Sequence, residues 1–368
     1  MITCFFPPNV GGVETHLQDF VEVLNEKKIK TTVLTYLPLT SKVDAAHSEK
    51  IGKFVKVNRL SWISGNFFYS FVNNPLVEFL YLFPSLFVYS LIYLRKTKNK
   101  ISTIHSHGII SGAIGVILGI VFSKKRIVSL HSVYHFPQSG LYSSFVKWIF
   151  NHSNYVLTLS RQSKEEVEKL GIDSDKVKVF TYWVDQSNFK QARNSLIIEK
   201  RDFTVLFVGR LVEEKGIKIL VQAIDEMKGV KCFIAGIGPL DNYVELASQK
   251  NKKIVYLGKV SQSDLPKYYN SCDLLIVPSI HEEGFGRVII EALLCGLPVI
   301  ASDRGGIKEA MNDSVGSLIQ MNKKNLIKEI NKYKNDKKLL ANKARNAVNF
   351  SRKKYSNKNA EEIIKTYN

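Results

Sequence analysis

Short apolar runs alternate with amphipathic stretches along the first half of the chain. Residues 2–6 are apolar, and Gly11-Gly12 then opens a helix that runs to about Leu24 with its apolar residues on one face. Residues 31–36 (TTVLTY) are β-branched and predict a strand. Further strands are predicted at residues 102–105, 126–131 and 155–159. This alternation indicates a parallel sheet covered by helices on both faces.

The same alternation begins again in the second half, after a polar stretch. Strands are predicted at residues 203–208, 230–235, 253–257, 273–278 and 298–302. Helices are predicted between them, at residues 217–227 and 240–249 among others. A chain of 368 residues is too long for one compact core, so two parallel-sheet domains are expected. Their predicted bounds are residues 1–185, a linker at 186–200, a second domain at 201–350 and a final helix at 351–368 that packs back on the first domain.

Two longer apolar stretches interrupt this pattern. Residues 108–122 are fewer than the roughly 18–20 that a membrane-spanning helix needs. Residues 76–94 are longer, but they include Glu78 and Pro84 and end in the basic run RKTKNK. We expect both stretches to form buried helices. Peripheral contact of residues 76–94 with an anionic membrane is the second interpretation.

The composition, with 45% hydrophobic and 23% charged residues, is typical of a globular protein. A net charge of +19 fits nucleic acid, an anionic membrane or a phosphorylated substrate. The basic residues form no dense block, which argues against a nucleic-acid partner. The four cysteines have no metal-binding spacing, and the first residues do not resemble a signal peptide. These features predict a cytoplasmic location.

Glycine- and charge-rich loops follow several of the predicted strands. Ligands of open α/β sheets bind beyond the carboxyl ends of the strands, so these loops are the candidate binding sites. They lie at residues 9–14 (NVGGVE), 209–216 (GRLVEEKG), 236–239 (GIGP) and 281–286 (HEEGFG).

Glu283 and Glu291 stand eight positions apart around a Gly-Phe-Gly turn. In one continuous helix this spacing would separate them by about 12 Å, too far to share a proton or a metal ion. The turn instead puts Glu283 before a helix and Glu291 within it, with the helix N-terminus between them. Because a helix N-terminus attracts phosphate, the layout suggests a nucleotide sugar. Glu291 would accept from the ribose hydroxyls and Glu283 from the hexose hydroxyls.

Arg210 and Lys215 follow the first strand of the second half. A guanidinium and an ammonium that converge on a diphosphate neutralise it and stabilise it as a leaving group. Taken alone, a surface salt-bridge set with Glu213 and Glu214 would be the better explanation. Their position upstream of the GIGP loop and of the two glutamates favours the diphosphate.

Taken together, these motifs resemble the retaining glycosyltransferases of family four. That family has the GT-B fold, in which two Rossmann-like, doubly wound parallel-sheet domains face each other across a cleft. The resemblance extends over nearly the whole chain and rests on Gly209-Arg210…Lys215-Gly216, Gly236-x-Gly238-Pro239, Glu283-Gly-Phe-Gly-x4-Glu291, Gly296-Leu-Pro-Val and Gly305-Gly306. Within the family, FFPPNVGGVETH, TIHSHG and HSVYHF are loosely similar to the catalytic subunit that transfers N-acetylglucosamine to phosphatidylinositol, and to bacterial and archaeal relatives.

The resemblance implies a role for each matching residue. Arg210 and Lys215 would hold the donor diphosphate. In the first half, Gly11 and Gly12 would let the backbone approach the donor. The implied catalytic residues are His131, which faces the transferred sugar, and Arg210, Lys215 and Glu283. The remaining implied donor contacts are Gly236, Gly238, Gly284, Phe285, Gly286, Arg287, Val288 and Glu291.

The implied reaction moves a hexose or N-acetylhexosamine, with retention, from a nucleotide-diphosphate sugar to a lipid-linked or glycan acceptor. The acceptor attacks from the face that the diphosphate leaves, and no metal or other cofactor is expected. Asp173-Ser-Asp175 resembles a metal-binding D-x-D motif, but it follows a helix end and is interpreted as a cap or turn. A nucleotide-sugar epimerase of the same shape and a non-catalytic nucleotide-sugar-binding subunit are the alternatives.

Two further features concern the first half and the interdomain loop. Residues 182–185 read Tyr-Trp-Val-Asp, where the family usually has Asn-Gly-Val-Asp. Of the five histidines in the first-half motifs, His131 is expected to reach the ligand, because it ends a predicted strand. Packed or hydrogen-bonded positions are expected for His16, His105, His107 and His135.

Overall fold

The computed structural model describes residues 1–9, 11–40, 43–63, 74–192 and 202–368. They form two compact units, Met1–Trp183 together with Asn357–Asn368, and Val184–Ser356. Each unit contains one β-sheet and the helices that cover it. Of the predicted linker, residues 186–192 belong to the second unit, and residues 193–200 lie outside the described residues.

The first unit contains a mostly parallel sheet. Its strands are β1 Ile2–Thr3, β2 Thr31–Tyr36, β3 Ser48–Ile51, β4 Val55–Leu60, β5 Thr103–His107, β6 Lys125–Leu130, β7 Tyr155–Thr158 and β8 Val177–Val179. Its helices are α1 Gly12–Glu26, α2 Pro75–Thr97, α3 Ile109–Val121, α4 Leu141–Asn151, α5 Arg161–Lys169 and a C-terminal helix, Asn359–Lys365. The strand order is β3-β4-β2-β1-β5-β6-β7-β8, and β3 is antiparallel to β4.

The second unit contains a parallel sheet. Its strands are β9 Phe203–Val208, β10 Val230–Ala235, β11 Ile254–Gly258, β12 Leu274–Val277, β13 Val299–Ser302 and β14 Gly316–Ile319, in the order β11-β10-β9-β12-β13-β14. Its helices are α6 Ile217–Glu226, α7 Asp241–Lys250, α8 Leu265–Ser271, α9 Arg287–Leu294, α10 Ile307–Ala310, α11 Lys323–Asn335 and α12 Lys337–Lys354. The expected fold class, two doubly wound parallel-sheet α/β domains, is confirmed.

The strand order of each sheet reverses at one point. In the second sheet the chain winds outward from β9 in one direction and then from β12 in the other. In the first sheet the reversal lies between β1 and β5. Loops that leave the carboxyl ends of the strands diverge at such a point and open a crevice for a ligand. The loops after β1, β9 and β12 are three of the four loops that the sequence singles out.

The cysteines are core residues of both units. Cys4, Cys232, Cys272 and Cys295 are all free and buried. Burial raises the pKa of the Cys4 thiol to about 12, and it does the same for Cys295. At neutral pH these thiols are therefore protonated and act as small apolar side chains.

Helix α2 buries one face and exposes the other. Leu82, Leu86 and Leu94 are buried in a core that includes Ile2. The opposite face is exposed, so the expectation that residues 76–94 are simply a buried helix was wrong for that face. Among the described residues, Pro75–Lys100 is the one helix long and apolar enough to cross a membrane, by length and composition alone.

The hydroxyl of Tyr36 holds α2 against the sheet. It accepts a hydrogen bond from the N–H of Leu86 at 3.1 Å and donates to the carbonyl oxygen of Leu82. In a regular helix these two backbone groups bond to each other. The hydroxyl also lies 2.7 Å from the Ser85 hydroxyl. The Tyr36 side chain, which belongs to β2, thus takes part in the backbone hydrogen bonding of α2. The contact lies beside Pro84, which has no N–H to donate.

Replacing Tyr36 by Phe should lower the stability of the first unit. The change removes one buried hydroxyl and keeps the ring, so the expected loss is about 1–2 kcal/mol, or roughly 2–8 °C in melting temperature. Thermal melts followed by circular dichroism measure it. Tyr142→Phe is the control, because Tyr142 is 43% exposed. An equal melting temperature for Tyr36→Phe and wild type would contradict this role of the hydroxyl.

Candidate functional site

Four loops of the second unit bond to one another at the carboxyl edge of its sheet. The loop after β9 bonds to the loop after β10, since Leu211 N–H donates to the Ile237 carbonyl at 3.0 Å. It also bonds to the loop after β12, where Ile280 N–H donates to the Glu214 carbonyl at 2.8 Å. A fourth loop joins them through Gly306. These backbone bonds bring together the second-unit motifs that the sequence singles out.

Two glycines permit this close assembly. Gly236 has a φ of +146°, and a Cβ there would lie 1.8 Å from the carbonyl oxygen of Gly209. Gly216 has a φ of +67°, and a Cβ there would lie 2.0 Å from the carbonyl oxygen of Pro278. Any side chain at either position would push two of the four loops apart. The glycines therefore act through packing of the loops.

Lys215 and Glu283 form an ion pair at this edge. Lys215 Nζ lies 2.9 Å from Glu283 Oε1, and the two side chains are 22% and 10% exposed. The Ser279 hydroxyl donates to the same carboxylate oxygen. The Gly306 N–H donates to the backbone carbonyl of Glu283 at 2.8 Å. The pair thus links the loop after β9 to the loop after β12, across the strand reversal.

The carboxyl of Glu283 is held in its ionised form. Burial alone would raise its pKa, but the charge of Lys215 and the hydrogen bonds from Lys215 and Ser279 outweigh the burial. The resulting pKa lies below the usual value of 4.5. At neutral pH, Glu283 is therefore an acceptor of hydrogen bonds only.

Arg210 and the start of α9 are the other parts of the predicted diphosphate site in the second unit. Arg210 is exposed on the same loop as Lys215. Residues 284–286 lead into α9, and the ring of Phe285 is 3% exposed and packs edge-to-face on Tyr355 at 5.8 Å. This packing fixes the turn from which the N–H groups of the first turn of α9 project.

Glu291 is more deeply buried than its predicted ribose-binding role suggests. It is 3% exposed, and its Oε1 accepts from Gln262 at 2.8 Å and from Arg287 at 3.0 Å. Its Oε2 accepts from the Tyr269 hydroxyl at 2.9 Å. Tyr269 and Arg287 are buried, whereas Gln262 lies on an exposed loop. The carboxylate thus has two buried donors and one donor on an exposed loop.

In the first unit, Asn9 organises the loop after β1. Its Oδ1 accepts from the N–H groups of Leu39 and Thr40, each at 2.9 Å. Its Nδ2 donates to the Phe6 carbonyl at 3.0 Å. Asn9 therefore ties the predicted donor loop to the loop that follows β2. Of that predicted loop, Val10 lies outside the described residues, Gly11 caps α1 and Gly12 is its first residue.

His131 follows β6 and lies in a buried, hydrogen-bonded cluster. Its Nδ1 is 3.0 Å from the Tyr182 hydroxyl, and its Nε2 is 3.0 Å from Nδ1 of His107. Burial lowers the pKa of His131 to about 3, so the ring is neutral at physiological pH. It can offer hydrogen bonds without carrying a charge.

The other histidines have structural environments. His16 is fully buried and stacks on Tyr182 with ring centroids 4.1 Å apart. His105 bonds Tyr367 at 2.8 Å and Ser129 at 2.6 Å. His135 is exposed.

Asp173 forms a turn, as expected. Its Oδ1 accepts from the Asp175 N–H at 2.9 Å, which is an Asx-turn. In the described part of the chain, no group of three or more His, Cys, Asp and Glu side chains is arranged to hold a metal ion.

Several residues that contact the predicted site residues belong to none of the sequence motifs. Tyr182 gave the one visible signal, because it stands where the family has asparagine. Ser279, Gln262 and Tyr269 reach the two glutamates from other loops and helices, and spacing along the chain does not reveal them. Asn9 lies inside a loop that the sequence singled out for its glycines alone.

Comparison with known proteins identifies the family. The model of glycosyltransferase family 4 matches residues 10–188, and that of glycosyl transferases group 1 matches residues 188–353. An uncharacterized glycosyltransferase of Methanocaldococcus jannaschii is 29% identical, over 86% of this chain and 83% of the relative. The gpi3 subunit of the phosphatidylinositol N-acetylglucosaminyltransferase of Schizosaccharomyces pombe is 25% identical, over 84% of this chain and 67% of that subunit.

A solved structure shares the whole fold. Anabaena HepE, in complex with UDP and glucose, superposes with a TM-score of 0.78 at 20% sequence identity, over 99% of this chain and 98% of HepE. Together the two family models extend over residues 10–353. The chain therefore belongs to the family 4, group 1 glycosyltransferases of the GT-B fold.

Proposed function

We propose that the protein is a retaining glycosyltransferase that moves a hexose or N-acetylhexosamine from a nucleotide-diphosphate sugar to a lipid-linked or glycan acceptor. The observation that carries the proposal is the Lys215–Glu283 pair at the strand reversal of the second sheet. Family membership supports the transfer. The lipid-linked class of acceptor is supported by the yeast relative, which is named for phosphatidylinositol.

In this proposal the donor diphosphate binds at the start of α9, between Arg210 and Lys215. The N–H groups of Arg287 and Val288, the first two of α9, have no acceptors within the helix, and the helix dipole favours a phosphate there. Without a donor, Lys215 pairs with Glu283. A diphosphate offers Lys215 a second anion, which leaves more of the Glu283 carboxylate to accept from hydroxyls of the sugar.

The ribose is assigned to Glu291. Its carboxylate keeps Arg287 and Tyr269, which are buried, and the ribose hydroxyls replace Gln262 as the third donor. Gln262 is the partner that can leave, because its loop is exposed. The two buried donors hold the carboxylate in place before the nucleotide arrives, so its orientation costs little on binding.

The chemistry consists mainly of positioning and stabilisation of the leaving group. Arg210 and Lys215 neutralise the charge that develops on the departing diphosphate. The acceptor hydroxyl attacks from the same face and passes its proton to the departing phosphate oxygen, so no separate general base is required. His131 is neutral and gives the sugar a hydrogen-bonding partner without adding charge. Glu283 and Glu291 bind the donor and do not act as the acid and nucleophile of a glycoside hydrolase.

We also infer a cytoplasmic location, where nucleotide sugars are available. Four free, buried thiols fit a reducing compartment. The same proposal requires no metal ion, since two cationic side chains serve the diphosphate.

A thermal-shift screen of nucleotide-diphosphate sugars should find at least one that raises the melting temperature of the wild type. Binding to the folded state alone stabilises it by mass action. Lys215→Met should abolish that shift and reduce kcat/KM for transfer by roughly 10²–10³, as expected for a lost donor to a developing oxyanion. Acceptor-dependent release of nucleotide measures the transfer.

Lys218→Met is the matched control, because Lys218 lies three positions further on and forms an exposed ion pair with Glu213. Lys215→Met also leaves the Glu283 carboxylate buried without its cation. The double variant Lys215→Met/Glu283→Gln removes that charge, so it should recover stability and remain inactive. Wild-type turnover by the double variant would reject the assignment.

Treatment with EDTA should leave the rate of transfer unchanged. The expected reason is that Arg210 and Lys215 supply the charge that a divalent cation supplies in other transferases. A loss of activity that Mg²⁺ or Mn²⁺ restores would show that a metal ion takes part.

The same reactions decide between the proposal and its alternatives. Incubation with the donor and no acceptor should return the donor unchanged. Accumulation of an epimerised donor would favour a nucleotide-sugar epimerase. A donor that raises the melting temperature without acceptor-dependent nucleotide release, across lipid and glycan acceptors, would favour a binding subunit.

A further inference from the structure

The outward face of α2 is apolar from Leu76 to Ile92. Residues Leu76, Leu80, Pro84, Val88 and Ile92, which we call the apolar stripe, recur every four positions, and all are exposed. Leu76 and Leu80 are 67% and 62% exposed, and Val88 and Ile92 are 51% and 48% exposed. The solvent face of a helix in a globular protein normally carries charged residues. An exposed apolar surface of this extent marks an interaction site.

The start of α4 enlarges this surface. Leu141 is 92% exposed and Tyr142 is 43% exposed. The two helices are joined by Phe79 and Phe145, whose rings pack edge-to-face at 5.5 Å. The apolar stripe and the start of α4 therefore form one surface built from two elements of the first unit.

The charges around α2 are distributed unevenly. Glu78 is the one acidic residue of Pro75–Lys100. Burial raises the pKa of its carboxyl, which favours the neutral form. The last turn of α2 and the short turn after it carry four exposed basic residues, Arg95, Lys96, Lys98 and Lys100, which we call the basic end of α2. The surface thus combines an apolar strip about 25 Å long with a cationic end.

Helix α2 keeps its inner face in the fold. Leu82, Leu86 and Leu94 are 3% exposed or less, and Tyr36 bonds to the backbone of α2 at Leu82 and Leu86. A helix crossing a bilayer would have to abandon these contacts. The structure therefore fits a helix that lies along a surface.

We propose that the apolar stripe, the start of α4 and the basic end of α2 rest together on a bilayer that contains anionic lipid. Apolar side chains enter the boundary between head groups and acyl chains, and the basic residues bind the anionic head groups. Tyr89 lies beside the apolar stripe and is partly exposed, as is common where one end of a ring is wet and the other is apolar. A second copy of the chain would match the apolar part but would leave the cationic end without a counter-charge.

Contact of this surface with a bilayer would affect how the acceptor binds. This step rests on the proposed function. Leu141 begins the helix that follows β6, and His131 begins the loop between them. The membrane-facing surface and His131 are thus connected at the carboxyl edge of the same sheet. A lipid-linked acceptor could present its head group there without leaving the bilayer.

Flotation with vesicles tests the membrane contact, using the full chain without nucleotide. The wild type should float with vesicles of phosphatidylcholine and phosphatidylglycerol. Leu80→Glu/Val88→Glu should reduce the bound fraction at least about tenfold, because two carboxylates would enter the lipid boundary. Leu246→Glu is the matched control, since Leu246 is 53% exposed on α7 of the second unit. Circular dichroism checks that all variants are folded.

A second pair of variants tests the charge. Lys96→Gln/Lys98→Gln/Lys100→Gln should weaken binding to the anionic vesicles roughly a hundredfold, at about fivefold for each charge. Lys324→Gln/Lys337→Gln/Lys338→Gln removes the same net charge from exposed positions of the second unit and should bind like the wild type.

Three results would overturn the proposal, and none depends on transferase activity. The first is a wild type that does not float. The second is equal binding by wild type and Leu80→Glu/Val88→Glu. The third is a dimer, seen by sedimentation velocity, that Leu80→Glu/Val88→Glu dissociates while vesicle binding stays unchanged, which would make the surface an interface between copies.

Discussion

A carboxylate in the interior of the second unit needs an opposite charge, and Lys215 provides it for Glu283. Breaking a buried ion pair by removing one partner costs about 3–5 kcal/mol, because the remaining charge is left without compensation. The pair therefore constrains the two loops that carry it. Gly216, whose Cα lies against the Pro278 carbonyl, follows Lys215, and the Gly306 N–H holds the backbone of Glu283. The ion pair thus adds a charged link to the backbone bonds that hold these loops together.

In the first unit, the cluster around the predicted site residue His131 consists of uncharged side chains. His131, His107 and Tyr182 are linked by hydrogen bonds, and burial lowers the pKa of both histidines. The network presents directed donors and acceptors, and Nε2 of His107 is buried in it with no hydrogen-bond partner among the described residues. In the proposed function, these neutral groups would serve the sugar, which has many hydroxyls and no charge. The charged groups of the predicted site belong to the second unit, where the diphosphate is expected.

The sequence predicted the central strands well and the edges poorly. β2, β9 and β10 have the predicted bounds, because continuous β-branched and apolar runs are typical of strands buried on both faces. The hairpin of β3 and β4 was missed, since its residues SEKI and VKVNRL carry charges that an edge position tolerates. Residues 2–6 are apolar, but β1 has only two residues, because the chain bends after Thr3 and enters the loop that Asn9 fixes.

The same limit applies to the site. Lys215 and Glu283 were predicted as donor-binding residues, but their ion pair was not. The pair forms because β9 and β12 are neighbours in the sheet, and the strand order could not be read from the sequence. The partners of Glu291 come from a loop and two helices, so their convergence exists only in three dimensions. For α2, the sequence pattern indicated a helix but could not tell which side the sheet would cover, because apolar residues occupy every side.

The protonated state of the buried thiols makes the protein suited to labelling. A thiol with a pKa near 12 has almost no thiolate at neutral pH, and the thiolate is the form that reacts with alkylating reagents. Because all four native cysteines are also buried, a cysteine placed at a surface position would be modified well ahead of them. Fluorophores or spin labels could be attached at single chosen points without first removing any natural cysteine.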